Sequence, residues 1–192
     1  YLLVISCGNQ QSDTFLDRLD REDNKNPHGT SPPDDGPPVQ PKVPSDAPQV
    51  TGDFDGDGHN ETAWIELPEI DENAVAECKG ECVCTIHFSN RLPSIELDNC
   101  IDGEPVNHGD LNNNGTDEIG IYPGWFTSCW HYYFVYTYSN GKWINAVDPI
   151  MAHCRQWEEG YPPIQKDYGK MGYAIIYYSE MMDTDIEIKN RS

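Results

Sequence analysis

The chain has 192 residues, of which 12 are basic and 33 acidic, giving a net charge of -21 at neutral pH. That balance excludes nucleic acid and anionic membrane surfaces as electrostatic partners and favours divalent cations. The length allows one or two domains with a genuine core.

The chain opens on Tyr1-Leu2-Leu3-Val4-Ile5-Ser6-Cys7, an apolar run that ends in a small residue and a cysteine. It resembles the tail of a bacterial lipoprotein signal peptide, with Val4-Ile5-Ser6-Cys7 as the lipobox, although neither an initiating Met nor a basic region precedes it. The resemblance implies lipidation of the Cys7 thiol and, with Gly8 rather than an aspartate following, an outer-membrane location. The membrane would be touched only through this anchor. An ordinary apolar strand with a free thiol is the competing reading. Residues 8 to 48 read as a linker, since eight of the fifteen prolines lie between 27 and 48. Proline fixes φ and removes donors, so an extended, solvated tether is expected. Phe15 and Leu19 suggest at most a short amphipathic turn within 12 to 22. The folded part is expected from 49 to 192.

Its first feature is Asp53-Phe54-Asp55-Gly56-Asp57-Gly58-His59-Asn60-Glu61, with a carboxylate at places one, three, five and nine and a glycine at six. Calcium takes six to eight oxygens in a flexible shell. Alternating Asp53, Asp55 and Asp57 can wrap such an ion, Gly58 permits the turn, His59 offers its backbone carbonyl and Glu61 closes the shell. The pattern returns as Asp110-Leu111-Asn112-Asn113-Asn114-Gly115-Thr116-Asp117-Glu118. Here Asp110, Asn112, Asn114 and Glu118 take the side-chain places, and Thr116 stands seventh, as His59 does. Two Ca2+ sites are expected. The first should be the tighter, because it has four acids at ligand places where the second has two. Neither loop is an EF-hand, whose twelfth residue must be a bidentate Glu; the twelfth residues here are Trp64 and Ile121.

Acid at one, three, five and nine with glycine at six resembles the FG-GAP or VCBS-type repeat of integrin α β-propellers and bacterial surface proteins. Gly52 and Gly109 precede the loops, Phe54 and Leu111 fill the apolar second place, and Asp53 and Asp110 stand 57 residues apart, which suits one blade per repeat. The resemblance covers about 50 to 125. It implies an all-β, propeller-like architecture with calcium between two strands of each blade. Two repeats fall short of the roughly four to eight blades that close a propeller, so 155 to 192 is expected to supply a degenerate third. A homo-oligomer would provide more.

Strand signals occur at 62 to 67, 82 to 88, 94 to 97, 119 to 122, 130 to 138, 143 to 147, 173 to 178 and 184 to 189, punctuated by Gly, Pro, Asn and Asp. Asn140-Gly141 marks a two-residue hairpin turn, and 151 to 158 reads as one or two helical turns. The strand 130 to 138 is aromatic on one face and partly apolar on the other, as expected for rings packed between sheets. A platform for a sugar or protein loop at Trp125, Trp130 and Tyr132 is the functional alternative.

Assigning Cys7 to lipid leaves Cys78, Cys82, Cys84, Cys100, Cys129 and Cys154, an even set that predicts three disulfides in an oxidising compartment. Pairings that join Cys82 to Cys84 are disfavoured within one strand, and the others stay open. A zinc site at Cys78, Cys82, Cys84 and His87 is the rival reading, weakened because His87 faces away from Cys82 and Cys84 on a strand. Two glycosylation-type motifs, Asn60-Glu61-Thr62 and Asn114-Gly115-Thr116, overlap the metal loops and are set aside.

No zincin motif, nucleophile elbow, phosphate loop or dinucleotide fingerprint is present. The chain therefore reads as a lipid-anchored, calcium-binding envelope module that binds a protein or glycan ligand. The alternatives are an envelope glycan-active enzyme using a carboxylate pair, and an assembly subunit that completes an oligomeric propeller.

Overall fold

The computed structural model describes residues 42–181 and 186–192. The lipobox with Cys7, the 12 to 22 turn and most of the linker lie outside them. Strands β1 (Gln49–Gly52), β2 (Glu61–Glu66), β3 (Val83–Phe88) and β4 (Ile95–Asp98) form an antiparallel four-stranded meander in chain order. A second sheet repeats that order with β5 (Val106–Asn107), β6 (Ile119–Ile121), β7 (Trp130–Ser139) and β8 (Lys142–Asn145). The pairing of β5 with β6 extends outward to an isolated bridge between Asp102 and Gly124 in the same register. Strand β9 (Ile150–His153) continues along β7 beyond β8. Between β8 and β9 the register slips, from Tyr136 opposite Asn145 to Tyr133 opposite Ile150. Pro149 lies in the interruption, where its missing N–H requires no ladder partner. A single turn, α1 (Arg155–Glu158), leads into a third antiparallel sheet of β10 (Ile164–Lys166), β11 (Ala174–Met181) and β12 (Ile186–Arg191).

The described residues are thus nearly all β, in three antiparallel sheets. Several expected strands lie where the alternation placed them, and the hairpin at Asn140-Gly141 has both residues at left-handed φ, 52° and 79°. The helical expectation for 151 to 158 holds over Arg155–Glu158 and is corrected before it. Ile150 and Ala152 turn inward, 2% and 0% exposed, so 150–153 is a strand and only the single turn α1 follows. The short strands β1, β5 and β10 carry too few residues to declare a period of two.

The second sheet is covered on both faces. Phe134 and Tyr136 pack against a core made of Phe54, Ile65, Ile86, Phe88, Ile119 and Ile121, with Trp143 stacked on Phe88 at 4.5 Å. Tyr133 and Val135, on the opposite face of β7, join Leu111, Ile150 and Ile164 in a second core that β11 covers through Ile176 and Tyr178. Rings packed between sheets is therefore the arrangement of residues 133 to 136. Gly120 makes room for it, because a Cβ there would stand 2.2 Å from the Tyr133 hydroxyl.

Among the described residues three disulfides are present, Cys78–Cys82, Cys84–Cys100 and Cys129–Cys154. Cys84 and Cys100 are fully buried in the first core. The zinc reading falls with these pairings, which consume the thiols. His87 instead contacts Glu66 at 2.8 Å and Ser94 at 3.1 Å and stacks on Trp64. No helix among the described residues is long and apolar enough to cross a membrane.

Candidate metal centre

Each predicted loop joins the first and second strands of its sheet, the first between β1 and β2 and the second between β5 and β6. Their internal hydrogen bonds correspond at the third, fifth and ninth places and differ by one donor at the first. The first-place carboxylate accepts from backbone N–H groups across the turn, Asp53 from Gly56 (2.8 Å) and Gly58 (3.0 Å), Asp110 from Asn114 and Gly115 (both 3.0 Å). The third-place oxygen accepts from the fifth N–H, at 3.1 Å for Asp55 and 2.9 Å for Asn112. The fifth accepts from the seventh, at 2.8 Å both for Asp57 with His59 and for Asn114 with Thr116. The ninth reaches back to the second, Glu61 accepting from the Phe54 N–H at 3.0 Å and Glu118 from that of Leu111 at 2.6 Å. A chain of Asx turns thus holds the loop open around the carboxylates.

Places four and six are left-handed in both copies. Gly56 and Asn113 have φ of 78° and 63°, and Gly58 and Gly115 have 87° and 92°. Glycine relieves the Cβ clash there and asparagine tolerates it. Phe54 and Leu111 anchor the loops from below, buried in the first and second cores respectively.

The ninth-place acids are the buried members, Glu61 1% and Glu118 0% exposed. Burial pushes both carboxyls above the usual carboxylate range. The backbone N–H bonds from Phe54 and Leu111 oppose this, while Asp55 and Asp57 beside Glu61, and Asp110 beside Glu118, add to it. The His59 ring is outside the shell, 84% exposed, with Nδ1 3.2 Å from Asp57. Oxygens of Asp53, Asp55 and Glu61 lie within 4.8 Å of one another. A Ca2+ shell with ligands at about 2.3–2.6 Å has that span, and hard oxygen donors suit the ion. In the second loop the Asn112 amide donates to Glu118 at 2.8 Å.

Sequence reasoning missed the contacts that set these loops beside other parts of the fold. Asp117, at the eighth place of the second loop, donates its N–H to the Asp53 carbonyl at 2.8 Å, and its carboxylate accepts from the Asp53 N–H at 3.2 Å. Asn107 donates to that same carboxylate and to the Thr51 carbonyl. The second loop meets the third sheet similarly, with Lys166 Nζ donating to the Asp110 carbonyl. Only the charge of Lys166 among so many acids hinted at such a contact.

The three residues of the alternative aromatic platform, Trp125, Trp130 and Tyr132, each stand against another ring. Trp125 meets Phe126 edge-on at 5.0 Å, Trp130 leans on His153 at 4.8 Å, and Tyr132, 49% exposed, stands 6.5 Å from Phe134. The cluster Cys129, His153 and Cys154 also has metal-like spacing, but its thiols form a disulfide. No family model matches this chain, and none of the curated proteins or solved structures compared with it does either.

Proposed function

We propose that this chain is a calcium-stapled, repeat-built module that acts by binding rather than catalysis, held at a bacterial outer membrane through lipid on Cys7. One observation carries the reading: the two nine-residue loops occupy the same place in their sheets and share the hydrogen bonds made by their third, fifth and ninth places. Asp53, Asp55, Asp57 and Glu61 with the His59 carbonyl would hold one Ca2+, and Asp110, Asn112, Asn114 and Glu118 with the Thr116 carbonyl the other. All donors are oxygens, which suits calcium and not a thiophilic transition metal. Bound calcium would offset repulsion among acids gathered at each loop and tie strand to strand.

The repetition suits propeller-type blades of the FG-GAP or VCBS kind, because sheet, loop and contact to the next sheet recur in order. In that arrangement the third sheet is a blade without a metal loop, and further copies of the chain would add blades. The exposed surface would serve a protein or glycan ligand.

Calorimetric calcium titration of the chelator-stripped chain, with Asp55→Ala and Asn112→Ala beside it, tests the reading. Two sites are expected, the first tighter, each lost in its own variant with a matching fall in Tm. Absence of heat, with Tm unchanged by chelator, would overturn it. Fatty-acid labelling that disappears in Cys7→Ser tests the anchor.

A further inference from the structure

Outside the metal loops, a cavity of about 320 Å3 opens between the second sheet and α1, walled by Tyr122, Tyr133 and Trp157 with Glu104, Val106 and Cys154. Its size is within the usual range for small-molecule sites, roughly 300–1,000 Å3. Trp157 is the meeting point of the walls. Its ring lies 4.4 Å from that of Tyr122 at 52° and 6.2 Å from that of Tyr133 at 54°, so the faces are tilted to one another and not stacked flat. The disulfide Cys129–Cys154 fixes the root of α1, and the Trp157 N–H donates to the Cys154 carbonyl at 3.2 Å.

The polar tips of both tyrosines are already committed. The Tyr122 hydroxyl donates to the Cys129 carbonyl at 2.9 Å, and the Tyr133 hydroxyl bonds His108 Nε2 at 2.7 Å. Tyr133, 2% exposed, closes the floor, so the accessible rings are those of Trp157, 40% exposed, and the half-buried Tyr122, with the exposed Glu104 adding negative charge. Glu104 forms no ion pair with a described residue. A sugar needs matched donors and acceptors, and an anion would meet Glu104 and the net charge of -21. A cation without N–H groups needs only ring faces and a counter-charge.

We propose that this cavity binds a small soluble quaternary ammonium compound, its methylated nitrogen seated against Tyr122 and Trp157 and its charge balanced by Glu104.

The test is calorimetric titration of the full chain with choline and with its uncharged isostere 3,3-dimethylbutan-1-ol, repeated on Glu104→Gln and Trp157→Ala. Choline is expected to saturate in the millimolar range or below, and the isostere to bind at least about tenfold more weakly, since the cation–π term and the carboxylate act on charge alone. Glu104→Gln, a change at an exposed position, should weaken choline several-fold and leave the isostere unaffected; Trp157→Ala should abolish both. Equal binding of choline and its isostere, no saturation by choline, or choline binding unchanged in Glu104→Gln would overturn the proposal.

Discussion

The first loop carries four acids at its ligand places and the second carries two acids and two amides, yet both bend left-handed at the same places and share the backbone bonds of their third, fifth and ninth places. Asp55 and Asn112 each accept the fifth N–H, and Asp57 and Asn114 each accept the seventh. An amide oxygen performs that task as well as a carboxylate oxygen does. The loop's shape therefore follows from where acceptors stand, while its charge is left free to set how strongly a cation is held. The loops also differ in what lies beside them. The first contacts the second through Asp117, and the second contacts β10 through Lys166.

The largest expected effect breaks the equivalence from below. Phe54→Ala should cost about 3–5 kcal/mol and Leu111→Ala about 2–5 kcal/mol, as in other buried large-to-small changes. Urea denaturation measures both. Leu111 already borders a cavity of about 160 Å3, so Leu111→Phe should be tolerated, whereas Phe54→Leu should leave a void beside Phe88 and Trp143.

Exchanging the charges sharpens the comparison next. Asn112→Asp should tighten calcium at the second loop and Asp55→Asn should weaken it at the first, each by roughly tenfold, about 1.4 kcal/mol. Titration calorimetry should then show the two affinities converging. If the order of affinities did not respond, charge count would not be what separates the loops.

A smaller and equal effect is expected at the sixth place. Gly58→Ala and Gly115→Ala meet no neighbouring atom within 4 Å, so each should cost only the left-handed penalty of about 1–2 kcal/mol. The fourth place should not match. Gly56→Asn would put a Cβ 3.0 Å from Thr116 Cγ2 and 3.1 Å from the Gly115 carbonyl, although asparagine occupies the corresponding place in the second loop. Thermal melts in chelator separate these costs from metal binding.

The smallest effect below pH 10 lies near the second loop. Burial pushes the Tyr122 phenol up to about 12 and holds the Tyr133 phenol higher still. The unfolded chain ionises first, near the ordinary value of about 10, so the stability these groups contribute is present below that pH and lost as pH rises through the folded values. Base titration followed by tyrosinate absorbance should show the last ionisations coinciding with unfolding.

Sequence alone determined the local parts of this protein. The loop places, the left-handed glycines, the Asn140-Gly141 hairpin and the alternation of the longer strands depend on contacts within a few residues, where residue type and spacing dictate conformation. It also gave the number of disulfides, because parity is a property of composition. Only the tertiary structure decided the pairings Cys78–Cys82, Cys84–Cys100 and Cys129–Cys154, the placement of the short strands β1, β5 and β10, and the seating of Asp117 on the Asp53 backbone. The gathering of Tyr122, Tyr133 and Trp157 about one cavity belongs with these. All but Cys78–Cys82, four residues apart, join residues distant in the chain, and what brings those together is the packing of one sheet against the next, which no single stretch of sequence encodes.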